Sequence, residues 1–121
     1  MFYYEDFKVG QTFVSGVHAL TEAEIIEYAT QYDPQPFHTD PVAAETSFFG
    51  GLAASGWHTA SLTMRLLVTS SLGTMVGGMV GAGCEVHWVS PTRAGDRLKV
   101  VSEITDMRPS KSRPQQGLIW V

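Results

Sequence analysis

Two hydrophobic periods divide the chain: helical spacing over much of residues 21–72, and alternation at every second position over residues 79–105. Residues 12–20, TFVSGVHAL, read as a strand interrupted by a glycine. TEAE from Thr21 has the form of a capping box, with Thr at the N-cap and Glu24 three residues on. Ile25, Ile26, Ala29 and Tyr32 supply the apolar face of the helix it opens, and Pro34 closes it. Asp40-Pro41 is a start signal for a second, short helix, PVAAETSF, which Gly50-Gly51 ends. A third helix is predicted from about Gly56 to Leu72. It has Trp57, Ala60, Met64, Leu67 and Val68 on one side and Leu62 and Leu66 on another, so it is expected to be buried at the centre of the domain.

Beyond GTMVGG the alternation predicts strands. Residues 79–90 place Val80, Ala82, Cys84, Val86 and Trp88 on one face, which makes Cys84 a core residue. PTRAGD is a turn, and residues 97–105 alternate again. RPSKSRPQQG reads as a polar connection before a last strand, GLIWV. Neither repeats nor a linker interrupt this order, so residues 1–121 form one α+β domain: helices first, then an antiparallel sheet wrapped around the central helix. The chain stops inside an apolar strand whose edge would be unpaired. Either further strands follow Val121 or a partner subunit covers that edge.

Composition narrows the classes of function. A net charge of −4 argues against nucleic-acid binding through a basic face. The charges are segregated, however. Arg93, Arg97, Lys99, Arg108, Lys111 and Arg113 form a local basic strip, which either meets a phosphorylated ligand or is simply solvated. Arg65 is the only charged residue between Gly50 and Cys84, but Ser, Thr, His and Gly break that stretch too often for a membrane span. The single cysteine forms no internal disulfide, and the first ten residues lack the pattern of a signal peptide; both fit the cytoplasm.

The candidate chemistry lies in DPQPFHTD, residues 33–40. Pro34 and Pro36 fix φ and remove two donors, so the stretch is expected to be a stiff loop at the rim of the domain, neither helix nor strand. It carries Asp33 and His38, a carboxylate and an imidazole able to share one water and move two protons. Asp40 reads as the cap of the next helix. His58 reads as packing, and His18 and His87 sit in strands without an evident partner. His38, Asp40 and His58 match no metal-ligand spacing, so no metal is expected.

YDPQPFHTDPVAA, followed by FFGGLAASGWHTASLTMRL and by VSPTRAGDRL, resembles the MaoC-like dehydratases, the (R)-specific enoyl-CoA hydratase group of the hot-dog fold. The pattern there is Asp, any residue, Asn, Pro, any residue, His; Gln35 stands here in place of the Asn, with its amide one methylene further out. A hydroxyl that some members carry on the hot-dog helix has Ser61 and Thr63 as nearby candidates, with no assignment between them. The resemblance implies reversible hydration of a trans-2-enoyl thioester to its (R)-3-hydroxyacyl form by a homodimer or higher homo-oligomer. CoA would be part of the substrate, and no further cofactor is implied. Asp33 and His38 would be catalytic, and the Gly56 amide, at a helix N-terminus, would stabilise the thioester oxyanion. Gln35, Ser55 and Trp57 would contact substrate. A hot-dog thioesterase and a non-catalytic acyl-binding subunit are the alternatives. The first usually carries an acid at the hot-dog helix, where this chain has none; the second would normally lack Asp33 or His38.

Overall fold

Thr21 opens the first helix with half of the predicted capping box, since the Glu24 carboxylate accepts the Thr21 hydroxyl and not its backbone amide. In the computed structural model, which describes residues 1–121, α1 spans Glu22–Tyr32. The Thr21 hydroxyl accepts from the Glu24 amide at 3.2 Å. Ile25 and Ala29, one turn apart, are its buried positions. Asp33 caps the C-terminus, its amide bonded to the Ala29 carbonyl at 2.9 Å.

The stretch that follows departs from expectation. Pro36 does not exclude a helix; it begins one, α2, Pro36–Thr39. At the first helical position the missing donor costs nothing and the fixed φ already suits the turn. Asp40 then ends α2 and caps α3, Pro41–Ala44, accepting from the amides of Val42 and Ala43. The second predicted helix therefore stops well short of Phe48. Ser47 turns its hydroxyl back onto the Ala44 carbonyl at 2.6 Å, and Gly50 takes a positive φ of 64° that closes the turn.

The long helix, α4, covers Gly56–Val68 rather than residues 56–72. Thr69 and Ser70 bond through their hydroxyls to the carbonyls of Arg65 and Leu67, and a separate 3₁₀ turn, Ser71–Gly73, follows. Nor is α4 buried on most faces. His58, Leu62 and Leu66, at successive i+4 positions, form its buried stripe, while Trp57, Met64 and Val68 are exposed. Apolar content around the rest of a helix is not burial; only the stripe facing a packed neighbour is withdrawn from water.

Two compact units make up the chain. The first comprises residues 1–16, 65–82 and 99–121. In it β1, Thr12–Val14, pairs antiparallel with β4, Val101–Glu103, with Phe13 opposite Ser102. β5, Asp106–Pro109, and β6, Gly117–Trp120, form a hairpin with Met107 opposite Ile119. β5 takes in Arg108 and Pro109, which had read as the start of a polar connection; the Arg108 guanidinium lies 4.7 Å from the Trp120 ring centre, so the charged residue finds its partner across the hairpin. Phe7, Phe13, Leu72 and Ile104 are the core of this unit.

The second unit comprises residues 17–64 and 83–98. β2, His18–Ala19, pairs antiparallel with β3, Arg97–Leu98, and the core consists of Leu20, Ile25, Ala54 and Leu62. The predicted strand 12–20 is thus two short strands, β1 and β2, and residues 97–105 likewise hold β3 and β4. Residues 79–90 form no strand. Alternation says which face a strand would bury, not whether another strand is present to pair with it, and no ladder reaches this segment. Val80 and Val89 are each 96% exposed, and Cys84 is exposed rather than in the core. No helix is long and apolar enough to cross a membrane.

Ile25, on the buried face of α1, is fully withdrawn from water in the second unit's core. Ile25→Ala is expected to cost about 2–5 kcal/mol by urea denaturation. The exposed Gln31→Ala on the same helix should stay within about 0.5 kcal/mol.

Candidate active site

Three short pieces of backbone meet in the second unit: the C-cap of α1, the single turn α2, and residues 53–55 ahead of α4. They bring together Asp33, His38 and Ser55. The joint between α2 and the third piece is a pair of hydrogen bonds. The Ala53 amide donates to the Phe37 carbonyl at 3.1 Å, and the His38 ring, at Nδ1, bonds the Ala53 carbonyl at 2.6 Å. A carbonyl oxygen only accepts, so Nδ1 carries the hydrogen and the tautomer is fixed. Nε2 is then the nitrogen left free by that bond, and it faces Asp33 Oδ2 at 3.3 Å. His38 is 5% exposed, which places it inside the protein and not at the rim that a proline-rich loop had implied.

Asp33 is held from both sides. Gln35 Nε2 donates to Oδ1 at 2.6 Å, and the Ser55 hydroxyl donates to Oδ2 at 2.7 Å. Burial is the largest single influence on this carboxyl, and it favours the neutral form. The hydrogen bonds from Gln35 and Ser55 and the charge of His38 act the other way. Together they hold the pKa below the ordinary 3.8, so the group is ionised at neutral pH. Gln35 and Ser55, expected to contact substrate, therefore both have their polar ends on Asp33. The longer Gln side chain at the usual Asn position still reaches the carboxylate.

Gly56, the first residue of α4, has no backbone partner for its amide, as helix geometry dictates at that position. A Cβ there would stand 2.6 Å from Trp88 Cε2, and the indole N–H of Trp88 donates to the Gly56 carbonyl at 2.8 Å. Glycine at the helix start is thus required by the indole packed over it. Trp57 is 60% exposed and meets Trp88 edge-on, with ring centres 5.3 Å apart; it takes no part in the bonds around Asp33.

Other residues singled out from the sequence lie apart from this cluster. Ser61 bonds the Trp57 carbonyl and the Tyr28 hydroxyl, and Thr63 bonds the Thr59 carbonyl, so neither hydroxyl joins Asp33 and His38. His58 stacks on Tyr28 at 4.5 Å with Nδ1 unpartnered; burial above all lowers its pKa, keeping it neutral. His18 has a partner after all, Glu24 at 2.6 Å. Asp40 is a helix cap, as expected. Nothing in the residue pattern marks the Ala53 carbonyl, because every residue has one, or the packing of Trp88 over Gly56. The rings of Phe37 and Phe49, at 4.5 and 5.9 Å from the His38 ring, were equally unmarked.

A family model described as MaoC like domain matches residues 7–118. Among solved structures, the MaoC-like dehydratase from Rhodospirillum rubrum is 50% identical, covering 98% of this chain and 81% of that one, with a TM-score of 0.93. The (R)-hydratase from A. caviae involved in PHA biosynthesis is 27% identical over 86% of this chain and 76% of its own, with a TM-score of 0.69. The uncharacterised protein YdeM of Bacillus subtilis is 26% identical over 120 residues, 97% of this chain and 82% of that protein. The solved relatives have the hot-dog fold, and so does this α+β chain.

Because the Asp33 pKa is lowered in the folded protein, its contribution to stability is present above the unfolded value and is lost as pH falls through the folded one. Ser55→Ala removes one of the two donors and leaves burial less opposed. The variant should be less stable than the parent at pH near 7, and the gap should close in acid, at a pH below the lowered folded-state pKa, where Asp33 is protonated in both. Urea midpoints at the two pH values test this; an equal gap at both would mean that the Ser55 hydroxyl does not act through the Asp33 charge.

Proposed function

The chain belongs to the MaoC-like domain family, and from that premise we propose that it is a hydro-lyase interconverting a trans-2-enoyl thioester and the (R)-3-hydroxyacyl thioester. The observation that carries this reading is the pairing of Asp33 Oδ2 with a tautomer-fixed His38 Nε2 at 3.3 Å. One water oxygen can lie within hydrogen-bond distance of both atoms at that separation.

Hydration then balances as follows. The water oxygen adds to C3 and loses a proton to the Asp33–His38 pair; the pair delivers a proton to C2. Each turnover leaves the pair with the proton count it began with. As the bond to C3 forms, negative charge moves onto the thioester oxygen. The unpartnered Gly56 amide at the positive end of α4 is the proposed donor to that oxygen. Gln35 and Ser55 keep Asp33 ionised and aimed. They are proposed to shape the water's seat, and Trp57 to line the approach. CoA enters as part of the substrate, and the proposed chemistry uses no further cofactor or metal.

Assembly from like subunits is part of the proposal. Residues 79–90 lie outside every ladder and expose Val80 and Val89 almost completely, which supports cover by a second copy. The exposed, unpaired Cys84 supports a reducing, cytoplasmic setting. Hydrolysis of the thioester is the less favoured chemistry, because α4 carries no carboxylate.

The expected result is loss of enoyl absorbance on mixing the protein with crotonyl-CoA or a longer trans-2-enoyl-CoA, with the (R)-3-hydroxy product by chiral chromatography. Asp33→Asn and His38→Ala should each lower kcat by about 10²–10⁴-fold. Turnover of no enoyl thioester, or variants as active as the parent, would end the hydratase reading.

A further inference from the structure

Arg93 had been grouped with the basic residues available to a phosphorylated ligand, and the structure puts its guanidinium to another use. The side chain is half-buried, and none of the chain's ion pairs includes it. Its partners are backbone carbonyls. Nη2 donates to the Phe49 oxygen at 2.6 Å, and Nη1 reaches the Leu52 oxygen at 3.4 Å. A guanidinium partly withdrawn from water needs such acceptors, and its planar fork reaches the two of them from separate nitrogens, where a lysine has one nitrogen to place. Gly51 lies between the two carbonyls, and a Cβ there would come within 3.3 Å of Nη1.

The neighbouring bonds show what this grip controls. The Ala54 amide donates to the Thr92 carbonyl at 2.8 Å, so residues 49–54 are strapped at both ends to the turn at 92–93. That turn is itself closed by the Asp96 carboxylate, which accepts from the Arg93 amide at 2.9 Å. On its other side the same segment holds α2 through the Phe37 carbonyl and His38 Nδ1. We propose that Arg93 is a positioning residue: by clamping residues 49–54 it keeps the Ala53 carbonyl on Nδ1, and so keeps His38 in the tautomer that presents Nε2 to Asp33. The inference rests on the reading of Asp33 and His38 as the reacting pair only for its effect on rate; its effect on the tautomer stands without that reading.

Arg93→Met and Arg93→Lys in the full chain test it, with ¹⁵N NMR of the His38 ring beside steady-state hydration of an enoyl-CoA. Arg93→Met should show both His38 tautomers and lower kcat by about 10- to 100-fold, with KM little changed because no substrate contact is lost. Arg93→Lys, holding one carbonyl, should fall between Met and the parent in both readouts. A folded Arg93→Met with His38 wholly in the Nδ1–H form overturns the proposal whatever its rate. Where circular dichroism shows Arg93→Met unfolded, Arg93→Lys decides: mixed tautomers support the clamp, and a parent-like ring overturns it. Should the parent hydrate no enoyl thioester, the reaction reading fails, while the tautomer comparison still supports or overturns the clamp.

Discussion

The hydrogen bond from His38 Nδ1 to the Ala53 carbonyl, at 2.6 Å inside the protein, is the constraint on which the rest of the site depends. An imidazole has two nitrogens, and left alone it distributes its proton between them. A buried carbonyl that can only accept removes the choice. It also satisfies the one polar atom of the ring that would otherwise be costly to bury, so the residue can sit inside the domain and still have a free working end. Facing that end, Asp33 stays charged despite burial because Gln35 and Ser55 supply the hydrogen bonds that water would have made. Acid and imidazole are thus brought to 3.3 Å with complementary roles set by their other partners.

Local chain geometry makes this arrangement economical. Capping at Thr21 and burial of Ile25 and Ala29 fix α1, and its last amide bond sets Asp33 at the exit. Pro36 starts the turn of α2 without the loss of a backbone bond, which projects His38 inward two residues later. Asp40 closes that turn with its backbone amide and caps the next helix with its carboxylate. Within eight residues the chain makes four helix termini and positions Asp33 and His38. Little of this requires long-range contact, and the one element that does is the 49–54 segment supplying the carbonyl.

That division explains what could be read from the sequence. Thr21, Pro34, Asp40 and the Asp33-to-His38 spacing are local signals, and each names its element or its residue directly. The α+β hot-dog fold was legible for the same reason, through helix signals, alternation and the resemblance of the motif. Pairing was not legible. Residues 79–90 alternate as a strand should, yet no strand of this chain pairs with them, while β5 extends through Arg108 and Pro109 because Leu118 and Gly117 lie opposite. Burial around α4 was overestimated, since an apolar side chain says nothing about whether a neighbour covers it. Hidden altogether were the Ala53 carbonyl, which no side chain announces, and the bonds of Trp88 and Arg93 to residues more than thirty positions away.

A ¹⁵N NMR spectrum of the histidine rings of the free wild-type protein near neutral pH, with His38 assigned by its substitution, measures the central constraint directly. A hydrogen on His38 Nδ1, protected from exchange, is the predicted result, with any proton exchange confined to Nε2. A His38 ring whose Nδ1 is bare and whose Nε2 carries the only hydrogen would contradict it, because the Ala53 carbonyl would then have no donor and the face toward Asp33 would hold the wrong end of the imidazole.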